Sequence, residues 1–187
     1  SFPAGAKLGT EVTTGVNFTS AWESSGLTSF STPLPTATNL QAAFRYCNPL
    51  VSFTLNELPV VTSVSAAWQS ARFQSFSTKL PKVEVAYAAW FYNNALVDFS
   101  ADVFTNWNPS NIQTGVFNLT WTGCISLSAD SVGNILQSID ASNQHGTDDG
   151  TSTGSPLGDS EIDIDYNGDP LSAATNAAVD SLKAKGW

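Results

Sequence analysis

The sequence predicts an all-β fold, an antiparallel β-sandwich of about eight short strands followed by an acidic C-terminal extension. Three observations predict it. Apolar and polar residues alternate along several segments before residue 128, the period of a strand that buries one face. Turn-forming residues divide these segments at intervals of roughly ten to fifteen residues. Helical periodicity is nearly absent until residue 128.

Taken in chain order, the weaker strand candidates are Glu11–Ser20, Leu40–Tyr46, Leu50–Leu58, Val60–Trp68 and Phe73–Leu80. In Val83–Phe91, Val83, Val85, Tyr87, Ala89 and Phe91 oppose Glu84, Ala86, Ala88 and Trp90. In Leu96–Phe104, Val97, Phe99, Ala101 and Val103 oppose Asp98, Ser100 and Asp102. Alternation is clearest in Thr114–Leu127, where Phe117, Leu119, Trp121, Ile125 and Leu127 share a face. Asn48-Pro49, Leu58-Pro59, Leu80-Pro81, Asn93-Asn94 and Asn106–Pro109 supply the breaks. After Leu127 the text changes. Ser131–Asp140 reads as a short helix or turn, 143–160 as a Gly/Ser/Thr/Asp linker, and 171–185 as a helix. For that last helix Asp169 is the expected N-cap, Pro170 the first position, and lysines occupy the final turn. The organisation is therefore a sandwich over 1–127 and an acidic extension over 128–187.

Charge follows the same division. Only 12% of residues are charged, about half the usual share. The net charge is −9, and residues 126–187 carry ten acidic side chains against Lys183 and Lys185. No basic stripe offers itself to nucleic acid or to an acidic membrane. No apolar run approaches a membrane span, and no signal peptide is read at the start.

Chemistry-bearing residues are sparse. The one histidine, His145, has no Ser or Cys nucleophile in a recognisable elbow beside it. Glu57 and Glu84 lie in expected strands without a motif that marks a glycosidase pair. No catalytic residue is assigned, and the chain reads as a non-enzyme. Cys47 and Cys124 allow one disulfide at most, or two buried free thiols. Sequons begin at Asn17 and Asn118. The most specific pattern is Asp163-Ile164-Asp165-Tyr166-Asn167-Gly168-Asp169. Asp163, Asp165, Asn167 and Asp169 stand at alternate positions, with a glycine at the sixth place, like the first half of a calcium loop. The twelfth position, which should supply a glutamate, is Ala174, so a Ca2+ site there needs completion from elsewhere.

Three segments carry a family resemblance: Leu40–Leu50 with its Phe44-Arg45-Tyr46 core, Val83–Asn94 ending in Asn93-Asn94, and Thr114–Ser128 with Trp121-Thr122-Gly123-Cys124. Their order resembles the jelly-roll coat proteins of icosahedral positive-strand RNA viruses, and most of all tymovirus coats. The resemblance covers roughly half the chain. It implies a jelly roll and a structural capsid protein of a virion, self-assembling with copies of itself or sister subunits. It implies weak or indirect contact with viral RNA, no membrane, and a cation-sensitive contact at Asp163–Asp169. The acidic tail departs from the common pattern. The alternative expectation is a secreted β-sandwich glycoprotein or carbohydrate-binding module. The sequons, the Ser/Thr richness and an expected exposure of Trp90 and Trp107 favour it.

Overall fold

A period of 23 residues, rather than two, organises the chain. Phe30, Phe53, Phe76 and Phe99 recur at that spacing, each between small polar residues in Ser29-Phe30-Ser31, Ser52-Phe53-Thr54, Ser75-Phe76-Ser77 and Asp98-Phe99-Ser100. Repetition at 20–50 residues marks a solenoid, in which each coil buries its apolar side only against its neighbours. The computed structural model describes residues 15–113, 115–146 and 161–187. Thr114, the start of the strand candidate at Glu11–Ser20, and most of the linker at 143–160 fall outside them.

The elements run β1 (Val16–Asn17), β2 (Ser29–Phe30), β3 (Ala37–Asn39), β4 (Ser52–Phe53), β5 (Ser75–Phe76), β6 (Asp98–Phe99) and β7 (Phe117–Trp121), then α1 (Ala129–Ala141), β8 (Ile162–Ile164) and α2 (Ala173–Ala184). Strands pair as β1–β3, β2–β4, β5–β6 and β7–β8, and every pairing is parallel. The parallel bridges Asn39–Ser63 and Ser63–Val85 continue the first ladder through the following coils. The expected antiparallel jelly-roll sandwich is therefore overturned: short parallel rungs of successive coils replace it.

The alternation that suggested strands has another cause. The N–H groups of Leu40, Ala42, Phe44 and Tyr46 donate to the carbonyls of Ser63, Ser65, Ala67 and Gln69 in the next coil, at 2.8–2.9 Å. Those of Ala43, Arg45 and Cys47 turn back to carbonyls three residues earlier. Inter-coil and local bonds alternate, so this curved wall satisfies its backbone without an extended strand. The bends require left-handed backbone at Ser20, Ala42, Ala66, Ala88 and Leu119. Four residues on, Ser24, Tyr46, Ser70, Tyr92 and Gly123 adopt it again.

Two aromatic columns fill the core between this curved wall and the straighter wall of β2, β4, β5 and β6. Phe30, Phe53, Phe76 and Phe99 stack at 5.7, 5.9 and 5.6 Å. Beside them run Trp22, Phe44, Trp68, Trp90 and Trp121, with Trp68–Trp90 at 5.3 Å and Trp90–Trp121 at 5.5 Å. Rings of the two columns meet tilted or edge-on, as for Trp68–Phe76 at 4.8 Å and Trp90–Phe99 at 5.1 Å. Each such pair contributes about 0.5–1.5 kcal/mol beyond the area it buries.

Trp90 and Trp121 lie 31 residues apart, where the earlier ring spacings are 22–24. The excess forms a loop after β6 that is pinned back by Trp107. That ring is buried and its Nε1–H donates to the Val83 carbonyl at 2.8 Å. The C-terminal residues close the end of the stack. Val132, Ile135 and Ile139 of α1 and Leu182 of α2 join the core. Ser128 and Ser172 cap the two helices, each accepting a backbone N–H three residues on. Ser172 thus takes the capping place expected of Asp169, because its hydroxyl stands one residue before the helical run. Among the described residues, no helix is long and apolar enough to cross a membrane.

Candidate functional site

A parallel stack leaves unpaired backbone at its last coil, and such an edge invites another chain to pair with it. Here side chains finish both walls. On the straight wall, Ser131 Oγ accepts the Phe99 N–H at 2.8 Å and donates to the Val97 carbonyl. Asn134 Nδ2 donates to the Phe99 carbonyl at 2.8 Å. On the curved wall, N–H groups point to where a next coil would be, and carboxylates meet them. Asp163 Oδ2 accepts from Leu119 at 2.7 Å and Asp165 Oδ2 from Gly123 at 2.8 Å. The two capped N–H groups stand four residues apart, with Trp121 between them paired to Ile164 of β8.

The residues expected to hold calcium are thus occupied in separate ways. Asp163 and Asp165 cap the stack, while Asn167 and Asp169 bond each other: Asn167 Nδ2 donates to Asp169 Oδ2 at 2.7 Å, and Asn167 Oδ1 accepts the Asp169 N–H. Among the described residues, no group of three or more His, Cys, Asp or Glu side chains converges to hold a metal. Glu84 Oε1 accepts the Asn111 N–H at 3.0 Å, and exposed Glu57 sits at a parallel bridge with Lys79.

Cys47 and Cys124 are buried free thiols. They fill the same corner of coils three steps apart, roughly 14 Å at the usual strand spacing, well beyond disulfide reach. Burial pushes the Cys124 thiol up to about 12, so it stays protonated and donates to the Trp90 carbonyl at 3.1 Å. Of the two sequons, Asn17 is exposed, and its Oδ1 accepts from the Thr19 N–H and hydroxyl. Asn118 is buried and its Oδ1 accepts the Glu161 N–H at 3.2 Å, so a glycan there would displace the end cap.

Trp90 and Trp107, expected to be exposed, are both buried. Among the described residues, the exposed aromatics stand elsewhere, on the outside of the curved wall. Tyr46 is 45% exposed and Tyr92 60%. They share one outward column, Ser24, Tyr46, Ser70, Tyr92 and Gly123, and lie two coils apart, roughly 9.5 Å along the axis. Both adopt left-handed backbone, with φ of 58° and 55°. Bulky residues rarely adopt it, at a cost of order 1–3 kcal/mol. Half-buried Phe91 meets the Tyr92 ring at 4.4 Å and 71°, and Gly123 leaves room for it on the other side: a Cβ there would stand 2.6 Å from Tyr92 Cδ1. Beside Tyr46, the Arg45 guanidinium lies 5.3 Å from the ring centroid and is paired with Glu23 across the coils. The wall is thus aromatic and locally neutral.

Sequence reasoning misses this pair because alternation puts Tyr46 at the end of one strand candidate and leaves Tyr92 just past another. The available signal is the 23-residue alignment, which sets each tyrosine in a column otherwise held by serine and glycine. In comparisons with known proteins, no family model matches the chain, no curated protein matches it, and no solved structure matches it.

Proposed function

We propose that the chain is a non-catalytic carbohydrate-binding module whose curved wall docks a neutral polysaccharide through Tyr46 and Tyr92. One observation carries the reading: two exposed tyrosines occupy strained positions where neither core burial nor backbone preference calls for an aromatic ring. Strain kept at an exposed aromatic residue points to function. Tyrosine offers a rigid apolar face with a polar tip, suited to the apolar face and hydroxyl rim of a sugar ring. Two such rings along one axis suit a chain of repeating sugars better than a single small ligand.

The test is a pull-down and affinity electrophoresis with cellulose, chitin, xylan, mannan and starch, using the whole chain and its Tyr46→Ser and Tyr92→Ser variants. Serine is the residue other coils hold in that column, so the variants keep the fold. Each is expected to lose about tenfold in affinity, the usual scale for a central interface tyrosine, with no fall in melting temperature. Retention of all five polymers by the double variant at the level of the parent overturns the proposal.

The capsid reading finds no support in this fold, because the jelly-roll strand order that motivated it is absent. Sedimentation tests it directly: closed particles of many copies would favour a coat, whereas a persistent 19.8 kDa species favours a binding module.

A further inference from the structure

The tyrosine wall has a period of its own. Tyr46 and Tyr92 stand at equivalent positions two coils apart, and Ser70 lies between them with a hydroxyl and no ring. Their backbones match: both are left-handed, and each N–H donates to the next coil at 2.9 Å, Tyr46 to Gln69 and Tyr92 to Thr122. Each ring is also braced by the side chain just before it. The Arg45 guanidinium lies 5.3 Å from the Tyr46 centroid, and the Phe91 ring 4.4 Å from that of Tyr92. Both tyrosines remain exposed. Successive coils stack with little rotation, because neighbouring rings along the inward columns differ in plane by only 5–20°. The outward column therefore runs close to straight, and the two tyrosines repeat one surface along one line.

A ligand that stacks on both rings must repeat with the same period. In an extended β-1,4-linked hexose chain each sugar is flipped relative to the last, so every second ring presents the same face and edge. Such a chain advances about as far per sugar as this stack advances per coil, roughly 4.8 Å. The first and third sugars then meet Tyr46 and Tyr92, while the second lies over Ser70. A three-fold chain such as xylan brings an identical ring round only at every third step. An α-1,4-linked chain coils away from a straight line. Building on the carbohydrate-binding reading above, we infer that this wall takes a two-fold β-1,4-linked hexose chain, of the cellulose, chitin or mannan kind, at one sugar per coil. The smallest ligand that reaches both rings is a trisaccharide. Its second stacking contact forms within a molecule already bound, so it adds affinity without a second loss of free motion.

The test titrates the full chain with the di-, tri- and tetrasaccharides of the cellulose, chitin and mannan series, and with xylotriose and maltotriose, following the tyrosine ring resonances by NMR. In at least one of the three hexose series the trisaccharide is expected to bind about tenfold more tightly than the disaccharide, with no comparable gain at the tetrasaccharide. Tyr46→Ser or Tyr92→Ser alone is expected to abolish that step. Tyr46→Phe and Tyr92→Phe, which keep the rings, are expected to retain it. Because each variant is compared with itself across ligand lengths, a general loss of stability does not imitate the result. A step that falls at the tetrasaccharide, one that survives either serine variant, or xylotriose or maltotriose binding as tightly as the best hexose trisaccharide overturns the inference. If polysaccharide retention still depends on the tyrosines, the wall remains a carbohydrate site of another repeat. If no oligomer and no polymer binds, both readings fall.

Discussion

Two columns run up the same curved wall and obey opposite rules. The inward one, Trp22, Phe44, Trp68, Trp90 and Trp121, is aromatic in every coil. The outward one passes through Ser24, Tyr46, Ser70, Tyr92 and Gly123 and changes character at almost every step. Inside, rings of neighbouring coils cover one another, so repetition is the fold. Outside, serine or glycine fills the column in three of five coils, and the two tyrosines depart from it. The difference separates what holds the molecule together from what it presents.

Breaking the inward column should cost most. Trp68→Ala removes a ring that contacts Phe53, Phe76 and Trp90, and is expected to destabilise the chain by about 3–5 kcal/mol in urea unfolding. Next come the carboxylates that finish the wall. Asp163→Ala or Asp165→Ala leaves one backbone N–H without its acceptor, an expected loss of about 1–3 kcal/mol each. The asparagine variants, which keep an oxygen acceptor, should lose less. Equal loss for alanine and asparagine would show that charge rather than the hydrogen bond matters at this end.

Acid sharpens the comparison on the charged flank. Glu23 is held below the usual carboxylate range by the Ser20 hydroxyl and then by Arg45. Burial acts to raise Asp140, but hydrogen bonds from Lys185 and Ser181 outweigh it and leave the carboxyl lowered. Groups depressed in the folded state stabilise fully above their unfolded values, and that support fades as pH falls through the folded ones. The melting temperature should therefore hold from neutrality down to about pH 5 and decline below about pH 4, as circular dichroism would record. The smallest effect belongs to the corner column of Cys47, Ala71, Asn93 and Cys124. Asn93 is buried with both amide atoms unpartnered among the described residues. Asn93→Ala, copying Ala71, is expected to raise stability by up to about 1 kcal/mol.

Local signals were legible in the sequence. The helix expected over 171–185 overlaps α2 at Ala173–Ala184, because an alanine-rich run ending in lysines is contiguous information, although its cap is Ser172 and not Asp169. Apolar alternation was also visible, yet it misled. In Phe117–Trp121 the rings at both ends are buried while Leu119, expected on the same face, is half-buried and left-handed. Period two arose there from alternate inter-coil bonds. The 23-residue recurrence of phenylalanine was present throughout and carried the architecture. What no local window holds is the cap: Asp163 meets Leu119 across 44 positions, so its spacing looks like a cation loop until the wall it covers is known.

The finished end has a consequence for length. Because side chains from outside the repeat close both walls at the last coil, the coils before it carry no terminating role there. A 23-residue unit duplicated in the middle would find the same ring partners above and below. The molecule is in that sense a ruler that can be lengthened at its centre, and each added graduation brings one more outward position in which to set a tyrosine.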